Sequence, residues 1–201
     1  MIAIIDYGMG NLRSVEKAAA SQGLDVLITA RAEIVKSADG VILPGVGAFP
    51  DAMDSLKEKG LVQAVHETVE KGKPILGVCL GMQLLFEKSF EVEEREGLGI
   101  LPGEIIRLPG TLKVPHMGWN SLDILHRCPI LDGIPDESFM YFVHSYYAAG
   151  ADEGTVCAVC DYGVKVPAAV SKNKVFGVQF HPEKSGDEGL IIYRNFGRLA
   201  L

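Results

Sequence analysis

The segment that most constrains the fold is a cysteine between two glycines, Gly77-Val-Cys79-Leu-Gly81, which directly follows an apolar run at residues 75–78. Glycines two residues before and after the cysteine let neighbouring backbone approach closely at a sharp turn, where a side chain would collide. This pattern is typical of a nucleophile elbow, a strand-to-helix turn that points a reactive side chain out of a sheet. The N–H of Leu80 would open the helix, where negative charge is favoured. A buried core cysteine in a tight turn has the same local pattern, so the motif needs partners elsewhere in the chain.

The first half of the chain alternates short apolar runs with amphipathic stretches. The pattern predicts strands at 2–6, 25–28, 40–44 and 74–78, and helices at 11–21, from about 50, at 61–71 and after Cys79. Short apolar strands separated by helices are typical of a parallel sheet that is covered on both faces.

The second half contains short β-prone runs between Gly, Pro and Asp residues, at 104–108, 139–143, 155–160 and 166–171. A strand at 175–180 and a helix at 187–201 follow. We therefore predict an α/β fold with an open, mostly parallel central sheet, helices on both faces and an antiparallel extension in the second half. No repeat or linker divides the sequence, so residues 1–201 are expected to form a single domain.

Charge and hydropathy narrow the classes of function. The 19 basic and 26 acidic residues give a net charge of −7, which disfavours a nonspecific nucleic-acid binder. No apolar run has the length of a membrane span. The apolar residues 1–6 lack the basic region of a signal peptide and are expected to be a first strand, which suggests a cytoplasmic protein.

The four cysteines are expected to be free, because disulfides are rare in cytoplasmic proteins of this size. Cys157 and Cys160 have C-x-x-C spacing, but no second pair or suitably spaced histidine completes a metal site. In a regular strand they would face opposite sides, which favours a structural role. Gly8-Met-Gly10 lacks the third glycine of a dinucleotide-binding loop, because Arg13 occupies that position. Neither a metal nor a cofactor is predicted.

A thiol with an ordinary pKa of about 8.5 is mostly protonated at neutral pH and needs a base to act as a nucleophile. Among the five histidines, His181 directly follows the strand predicted at 175–180, at the edge where parallel sheets build their sites. If Pro182 keeps the backbone extended, Glu183 can reach the imidazole. The predicted nucleophile, base and orienting acid are therefore Cys79, His181 and Glu183.

An acyl-transfer site also needs donors for the developing oxyanion. Pro44-Gly-Val-Gly47 ends a predicted strand, and its glycines allow backbone N–H groups to turn toward a ligand. We expect one donor from the region of Gly45 and Val46 and a second from Leu80. A plain strand-ending turn could have the same sequence.

Together these segments resemble the class I, triad-type glutamine amidotransferases. The resemblance rests on Pro44-Gly-Val-Gly47, Gly77-Val-Cys-Leu-Gly-Met-Gln83 and His181-Pro-Glu183. Three more segments resemble the branch of this family that serves histidine biosynthesis: Asp6-Tyr-Gly-Met-Gly-Asn-Leu12, Pro115-His-Met-Gly-Trp-Asn120 and His181-Pro-Glu-Lys-Ser185. The likeness extends from the first strand to the last helix, and no position that matches the triad departs from the family pattern.

The resemblance implies a reaction and further site residues. Cys79 would attack the side-chain carbonyl of glutamine to form a glutamyl thioester, and His181, oriented by Glu183, would deliver a proton to the leaving ammonia. The contacts with the substrate would come from Gly47, Gln83, Glu91, Ser145 and Tyr146.

The resemblance also implies a partner, a separate (β/α)8-barrel cyclase in a heterodimer. There the ammonia joins a ribonucleotide intermediate to give imidazole glycerol phosphate and an aminoimidazole carboxamide ribotide. The interface would include Asn11, Met117, Trp119 and Lys184. Val46 stands where other family members commonly have glycine, and in this branch the peptide is thought to reorient before the oxyanion hole is complete. Activity would then depend on the partner.

Two alternatives stay open at this point. A cysteine peptidase or small amidohydrolase on a related fold could share the elbow and the Cys–His pair. Labelling of Cys79 by a glutamine analogue, with protection by glutamine, would favour the amidotransferase. A degenerate regulatory subunit would bind a partner without turnover, and the intact triad argues against it. For Trp119, in a segment expected to be a loop between Gly and Asn, a core position is the alternative to an interface position.

Overall fold

The computed structural model describes residues 1–200, in which strands alternate with one or two helices up to residue 84 and strands dominate from there to residue 178. The helices are α1 (Leu12–Ser21), α2 (Ala32–Ser37), α3 (Phe49–Glu58), α4 (Leu61–Glu70), α5 (Leu80–Leu84) and α6 (Gly186–Leu199). The strands are β1 (Ile2–Ile5), β2 (Val26–Thr29), β3 (Gly40–Gly45), β4 (Ile75–Cys79), β5 (Phe86–Ser89), β6 (Arg95–Glu96), β7 (Leu101–Arg107), β8 (His116–Ser121), β9 (Asp123–Ile124), β10 (Phe139–His144), β11 (Tyr146–Ala149), β12 (Val156–Asp161), β13 (Lys165–Lys172) and β14 (Val175–Val178). Short 3₁₀ helices lie at Pro129–Leu131 and Pro182–Lys184.

The central sheet has eight strands in the order β2-β1-β3-β4-β14-β13-β12-β9. The five strands from β2 to β14 pair in parallel, whereas β13, β12 and β9 extend the sheet in antiparallel fashion. A two-stranded sheet, β10-β8, and a four-stranded sheet, β11-β7-β5-β6, complete the fold. The α/β fold predicted from the sequence, with its mostly parallel sheet and antiparallel extension, is confirmed.

Helices cover both faces of the central sheet. In β1, Ile2 and Ile4 pack in one core with residues of α1 and α6. Ala3 and Ile5 pack in a second core with residues of α2, α3, α4 and α5. Because successive side chains of a strand point to opposite faces, every residue of β1 is buried. This explains why the parallel strands are continuous apolar runs in the sequence.

The predicted loop around Trp119 is wrong, because the segment is the strand β8. It pairs antiparallel with β10, and Trp119 lies opposite Tyr141. Trp119 is 55% exposed, which also excludes the alternative of a core position. The sequence pattern misses β8 because its stability depends on pairing with a strand about twenty residues later, not on local hydrophobic alternation.

The expectation that Cys157 and Cys160 face opposite sides is also wrong. Both side chains pack in the core that contains α1 and α6. The ladder between β12 and β13 is irregular at Ala158, and such a bulge changes the face to which later side chains point. All four cysteines are buried and free.

The last helix, α6, begins one residue before the predicted start and ends at Leu199. The predicted helix extended to Leu201, which lies outside the described residues. Within residues 1–200, no helix combines the length and the apolarity that a membrane crossing requires.

Candidate active site

The candidate site lies where three neighbouring parallel strands end. β4 lies between β3 and β14, and the carboxyl ends of all three meet at one edge of the sheet. Cys79 is the last residue of β4 and pairs with Gly45 at the end of β3. His181 follows β14 by three residues. The parallel topology therefore brings together segments that are far apart in the sequence.

Cys79 has an unusual backbone conformation, with φ 54° and ψ −112°. A residue other than glycine in such a conformation costs about 1–3 kcal/mol, and such residues cluster at functional sites. The helix α5 begins at the next residue. The strand, the strained cysteine and the helix form the turn that the sequence predicts.

The two flanking glycines are required by the space around them. A Cβ at Gly77 would lie 2.7 Å from the Gly81 carbonyl oxygen and from two backbone atoms of Met82. A Cβ at Gly81 would overlap the carbonyl oxygen of Leu43 in β3. Because these neighbours are backbone atoms, they cannot move aside as a side chain could.

His181 and Glu183 form a buried pair. His181 Nδ1 is 2.9 Å from Glu183 Oε1, and the two side chains are 3% and 2% exposed. The second carboxylate oxygen, Oε2, accepts a hydrogen bond of 3.4 Å from the hydroxyl of Tyr193, which is fully buried. The carboxylate therefore fixes the orientation of the imidazole. It binds Nδ1, which is the ring nitrogen that faces away from the cysteine.

The other imidazole nitrogen, His181 Nε2, is buried and has no hydrogen-bond partner within residues 1–200. Burial by itself lowers the pKa of His181, but the Cys79 sulfur and the Glu183 carboxylate outweigh it and raise the pKa to about 9. An imidazole in this environment can hold a proton that it takes from the thiol. The geometry thus gives Cys79 a base and gives the base an orienting acid.

The backbone of His181 is attached to β10. Its N–H donates to the Tyr141 carbonyl at 2.9 Å, and its carbonyl accepts from the Ser185 hydroxyl at 2.6 Å. The same hydroxyl oxygen accepts from the Tyr141 N–H at 3.0 Å. His181 is therefore positioned by β10 as well as by its own strand.

A cavity of about 370 Å³ opens over Cys79. Its lining contains most of the site residues that the sequence and the resemblance single out: Val46, Gly47, Cys79, Leu80, Gln83, Glu91, Ser145, Tyr146 and His181. Gly45 and Glu183 line a small adjoining cleft that also contains His181. Every predicted catalytic, oxyanion and substrate-binding residue thus lies at this one edge of the sheet.

Two polar side chains of the cavity have defined partners. Gln83, on α5, donates from Nε2 to the Tyr146 carbonyl and to Gln179 Oε1, both at 2.9 Å. Glu91 accepts a hydrogen bond of 2.8 Å from the N–H of Phe49, the first residue of α3. Burial raises the pKa of Glu91, although the Phe49 N–H opposes this change.

Sequence reasoning misses four residues of the site: Pro115, Val143 and His144, which line the cavity, and Gln179, whose Nε2 is 3.8 Å from Cys79 Sγ. His144 ends the run Phe-Met-Tyr-Phe-Val-His of β10, and an isolated histidine in such a run resembles a core residue. The signal that could identify it is its position directly before Ser145 and Tyr146.

The residues implied as a partner interface lie outside the cavity but next to the triad. Met117 and Trp119 are exposed on β8, and the Trp119 ring contacts the Tyr141 ring edge to face at 6.0 Å. The Lys184 ammonium lies 5.8 Å from the centre of the same tyrosine ring. Asn11, which caps α1, lines the small cleft beside His181.

Within residues 1–200, no group of three or more His, Cys, Asp or Glu side chains is arranged to bind a metal ion. The chemistry that the site supports is nucleophilic attack by a thiolate on a carbonyl compound small enough for the cavity. Glu91, Ser145 and Tyr146 also line the cavity and give it polar groups.

The comparisons with known proteins agree on one family. The family model described as glutamine amidotransferase class-I matches residues 3–198. A protein of Bacillus cereus (strain B4264), described as imidazole glycerol phosphate synthase subunit HisH, is 56% identical over 196 residues, which cover 98% of this chain and 93% of that protein. A protein with the same description from Caldanaerobacter subterraneus subsp. tengcongensis is 54% identical over 199 residues, which cover 99% and 98%.

Solved structures share the fold at low sequence identity. A crystal structure described as a glutamine amidotransferase has a TM-score of 0.80 at 22% identity, and covers 100% of this chain and 99% of its own. The structure of PurLQS from Thermotoga maritima has a TM-score of 0.79 at 19% identity, and covers 97% and 96%. At these identities the likeness concerns the fold alone.

The charges around His181 generate a prediction about its titration. His181 should titrate near pH 9 in the native chain and at lower pH in Cys79→Ser and Glu183→Gln, because each substitution removes a group that raises its pKa. Since the folded pKa exceeds the ordinary value of 6.5, these interactions favour the folded state below pH 6.5, and their contribution is lost as the pH rises through about 9. NMR of the imidazole resonances measures the pKa. His66→Gln, on α4, is the control, and an unshifted His181 in both triad variants would contradict the assignment.

Proposed function

The chain belongs to the class I glutamine amidotransferase family, and from this premise we propose that it is the glutaminase subunit of an imidazole glycerol phosphate synthase. It would hydrolyse glutamine to glutamate and ammonia and pass the ammonia to a cyclase. The observation that carries the proposal is the buried His181–Glu183 pair beside a cysteine on a strained elbow. The 54–56% identity to subunits described as HisH supports the specific assignment.

The proposed reaction begins with attack of the Cys79 sulfur on the side-chain amide carbon of glutamine. His181 takes the thiol proton and gives a proton to the amide nitrogen, so that the C–N bond breaks and ammonia leaves. A glutamyl thioester remains on Cys79. His181 then takes a proton from water, whose oxygen attacks the thioester, and glutamate and the thiol are released.

The tetrahedral intermediates of both steps carry a negative oxygen. We propose that the N–H of Leu80 and an N–H from the region of Gly45 and Val46 bind this oxygen. The pairing of Gly45 with Cys79 and the position of Leu80 directly after it support the assignment. Loss of one such donor typically costs about 2.7–4 kcal/mol of transition-state stabilisation.

The rest of the glutamine would lie along the cavity wall. Backbone groups of Gly47, Ser145 and Tyr146 would bind its polar end, and Gln83 would keep the wall in place through its hydrogen bond to Tyr146. Glu91 would meet the α-amino group. Its carboxylate, already oriented by the Phe49 N–H at the cavity rim, supports this role.

The proposed partner is a (β/α)8-barrel cyclase in a heterodimer, with Asn11, Met117, Trp119 and Lys184 at the interface. The barrel would use ammonia to form imidazole glycerol phosphate and an aminoimidazole carboxamide ribotide in histidine biosynthesis. Residues 1–201 would act as one glutamine amidotransferase domain without a cofactor. We propose that it works in the cytoplasm.

The nucleophile assignment predicts the effect of Cys79→Ser. Glutamine-dependent synthesis by the complex should fall by more than about 10³-fold, because the hydroxyl is a much weaker nucleophile beside this base. Synthesis from added ammonia should be retained. Cys160→Ala, which removes another buried thiol outside the cavity, is the matched control and should keep both activities. Substantial glutamine use by Cys79→Ser would refute the triad.

The position of Val46 predicts a dependence on the partner. Val46 is 42% exposed at the cavity rim, and we propose that its peptide turns into the oxyanion hole when the cyclase binds. Glutaminase activity of the isolated chain should be low and should rise by about 5–150-fold with the cyclase and its nucleotide ligand, as a coupling of ordinary size would give. High activity of the isolated chain, with no increase in the complex, would exclude the switch.

The exposure of Trp119 generates a prediction about the proposed interface with the cyclase. Trp119 is the only tryptophan, so its fluorescence reports directly on the environment of β8. Binding to the cyclase should bury the ring and shift its emission to shorter wavelength. Trp119→Ala should weaken the complex at least about tenfold, measured by calorimetry. Leu125→Ala, similarly exposed next to the β9 edge, should not. Equal affinity of both variants would place the interface elsewhere.

A further inference from the structure

Two buried histidines beside the cavity have no role in the proposed chemistry. His144 ends β10 and His116 begins β8, and the two residues are opposite each other in the ladder. His116 Nδ1 lies 3.0 Å from His144 Nε2, and His144 Nδ1 lies 2.9 Å from the Tyr146 carbonyl oxygen. The two residues are 3% and 6% exposed. A chain of hydrogen bonds therefore runs from β8 to the cavity wall.

This chain of hydrogen bonds has one direction from donor to acceptor. The Tyr146 carbonyl can only accept, so His144 Nδ1 carries the proton and Nε2 of the neutral ring is an acceptor. His116 Nδ1 must then donate to His144, which leaves His116 Nε2 as an acceptor. An amide donor faces it, since Asn120 Nδ2 is 3.5 Å away and also donates to the Asp161 carbonyl at 2.8 Å.

The surroundings keep both rings neutral. The His116 ring stacks on Phe142 and on Tyr162, with centroid distances of 4.9 and 3.9 Å. Burial lowers the pKa of His116 to about 4. Burial also lowers the pKa of His144 to about 4, against the opposing effect of the Tyr146 carbonyl and with contributions from His116 and His181. A proton added to His144 Nε2 would face the N–H of His116 Nδ1, so that two donors would oppose each other.

The hydrogen-bond chain ends at the backbone of Tyr146, in a segment that belongs to the proposed glutamine site. The Leu108 N–H donates to the Ser145 carbonyl at 2.9 Å, and in an antiparallel ladder the hydrogen-bonding direction alternates with each residue. The backbone groups of Tyr146 therefore face away from β7. Its carbonyl accepts two hydrogen bonds, from His144 and from Gln83. Three donors, on Leu108, His144 and Gln83, thus orient residues 145 and 146.

We propose that His144 and His116 are positioning residues for glutamine binding, and that their directed hydrogen-bond chain orients the backbone at Ser145 and Tyr146 to receive the substrate. This inference rests on the proposed function, because it concerns the same cavity. Neither histidine touches the reacting atoms. Their loss should change the affinity for glutamine more than the rate of the chemical step.

The direction of the hydrogen-bond chain can be tested without an activity measurement. Nitrogen chemical shifts from ¹⁵N-labelled histidines in the full chain report which ring nitrogen carries the proton. We expect the Nδ1–H tautomer for both His116 and His144 at pH 7, with assignments from His116→Asn and His144→Asn. The commoner Nε2–H tautomer at His144 would overturn the proposal, because Nδ1 would then have no proton for Tyr146.

The positioning role can be tested by steady-state kinetics of the complex with the cyclase. In His144→Leu the donor to Tyr146 is lost, and KM for glutamine should rise about tenfold while kcat stays within about threefold. In His144→Asn the amide nitrogen attached to Cγ can replace Nδ1, and most of the KM should be recovered. Equal KM values for Leu and Asn would overturn the inference.

A second pair of variants, at position 116, makes the test independent of any folding defect caused by substitution at position 144. His116→Phe preserves the stacking on Phe142 and Tyr162 but removes the donor, so KM should rise, whereas His116→Asn keeps a donor and should restore it. A merely structural role would favour Phe, because it fills the same space, and a lower KM for Phe than for Asn would refute the proposal. If the unmodified complex hydrolysed no glutamine, the proposed function would fail, whereas the tautomer result would stand.

Discussion

The structure depends on the close approach of the first turn of α5 to the end of β3. No side chain fits at Gly81, because its Cβ would overlap the Leu43 carbonyl, and a Cβ at Gly45 would overlap the Tyr7 hydroxyl. This contact draws the elbow against the neighbouring strand and sets Cys79 beside Gly45. The Tyr7 hydroxyl, itself buried, donates to the Pro44 carbonyl at 2.7 Å and fixes the strand that precedes Val46. The nucleophile and the proposed oxyanion segment are thus positioned by close backbone packing together with the buried Tyr7 side chain.

The base is positioned by a different kind of interaction. His181 and Glu183 are almost completely buried, and a buried charge is tolerated only when it is paired and hydrogen-bonded. The pair meets this condition through the contact of 2.9 Å between His181 Nδ1 and Glu183 Oε1 and through the Tyr193 hydroxyl on the carboxylate. Packing fixes Cys79 and electrostatics fixes His181, so the two halves of the site rely on separate parts of the sequence.

This difference explains what the sequence could predict. The elbow and the His-Pro-Glu segment are local patterns with a local physical cause, and both lie where expected. The strand around Trp119, the shared face of Cys157 and Cys160, and the His116–His144 contact depend on ladder pairing and on a bulge at Ala158. No short stretch of sequence contains that information, because the register of an antiparallel pair is set by contacts across the sheet.

The strand β10 contacts three parts of the site and so links them in a way that the parallel strands do not. The Tyr141 backbone bonds to His181, the Val143 carbonyl lies 3.9 Å from Cys79 Sγ, and His144 bonds to the cavity wall. Residues 141–144 of one strand therefore contact the base, the nucleophile and the substrate wall. Its ladder partner β8 presents Met117 and Trp119 to solvent. Because the register between β8 and β10 is continuous, a rigid displacement of this strand pair would change all three contacts together.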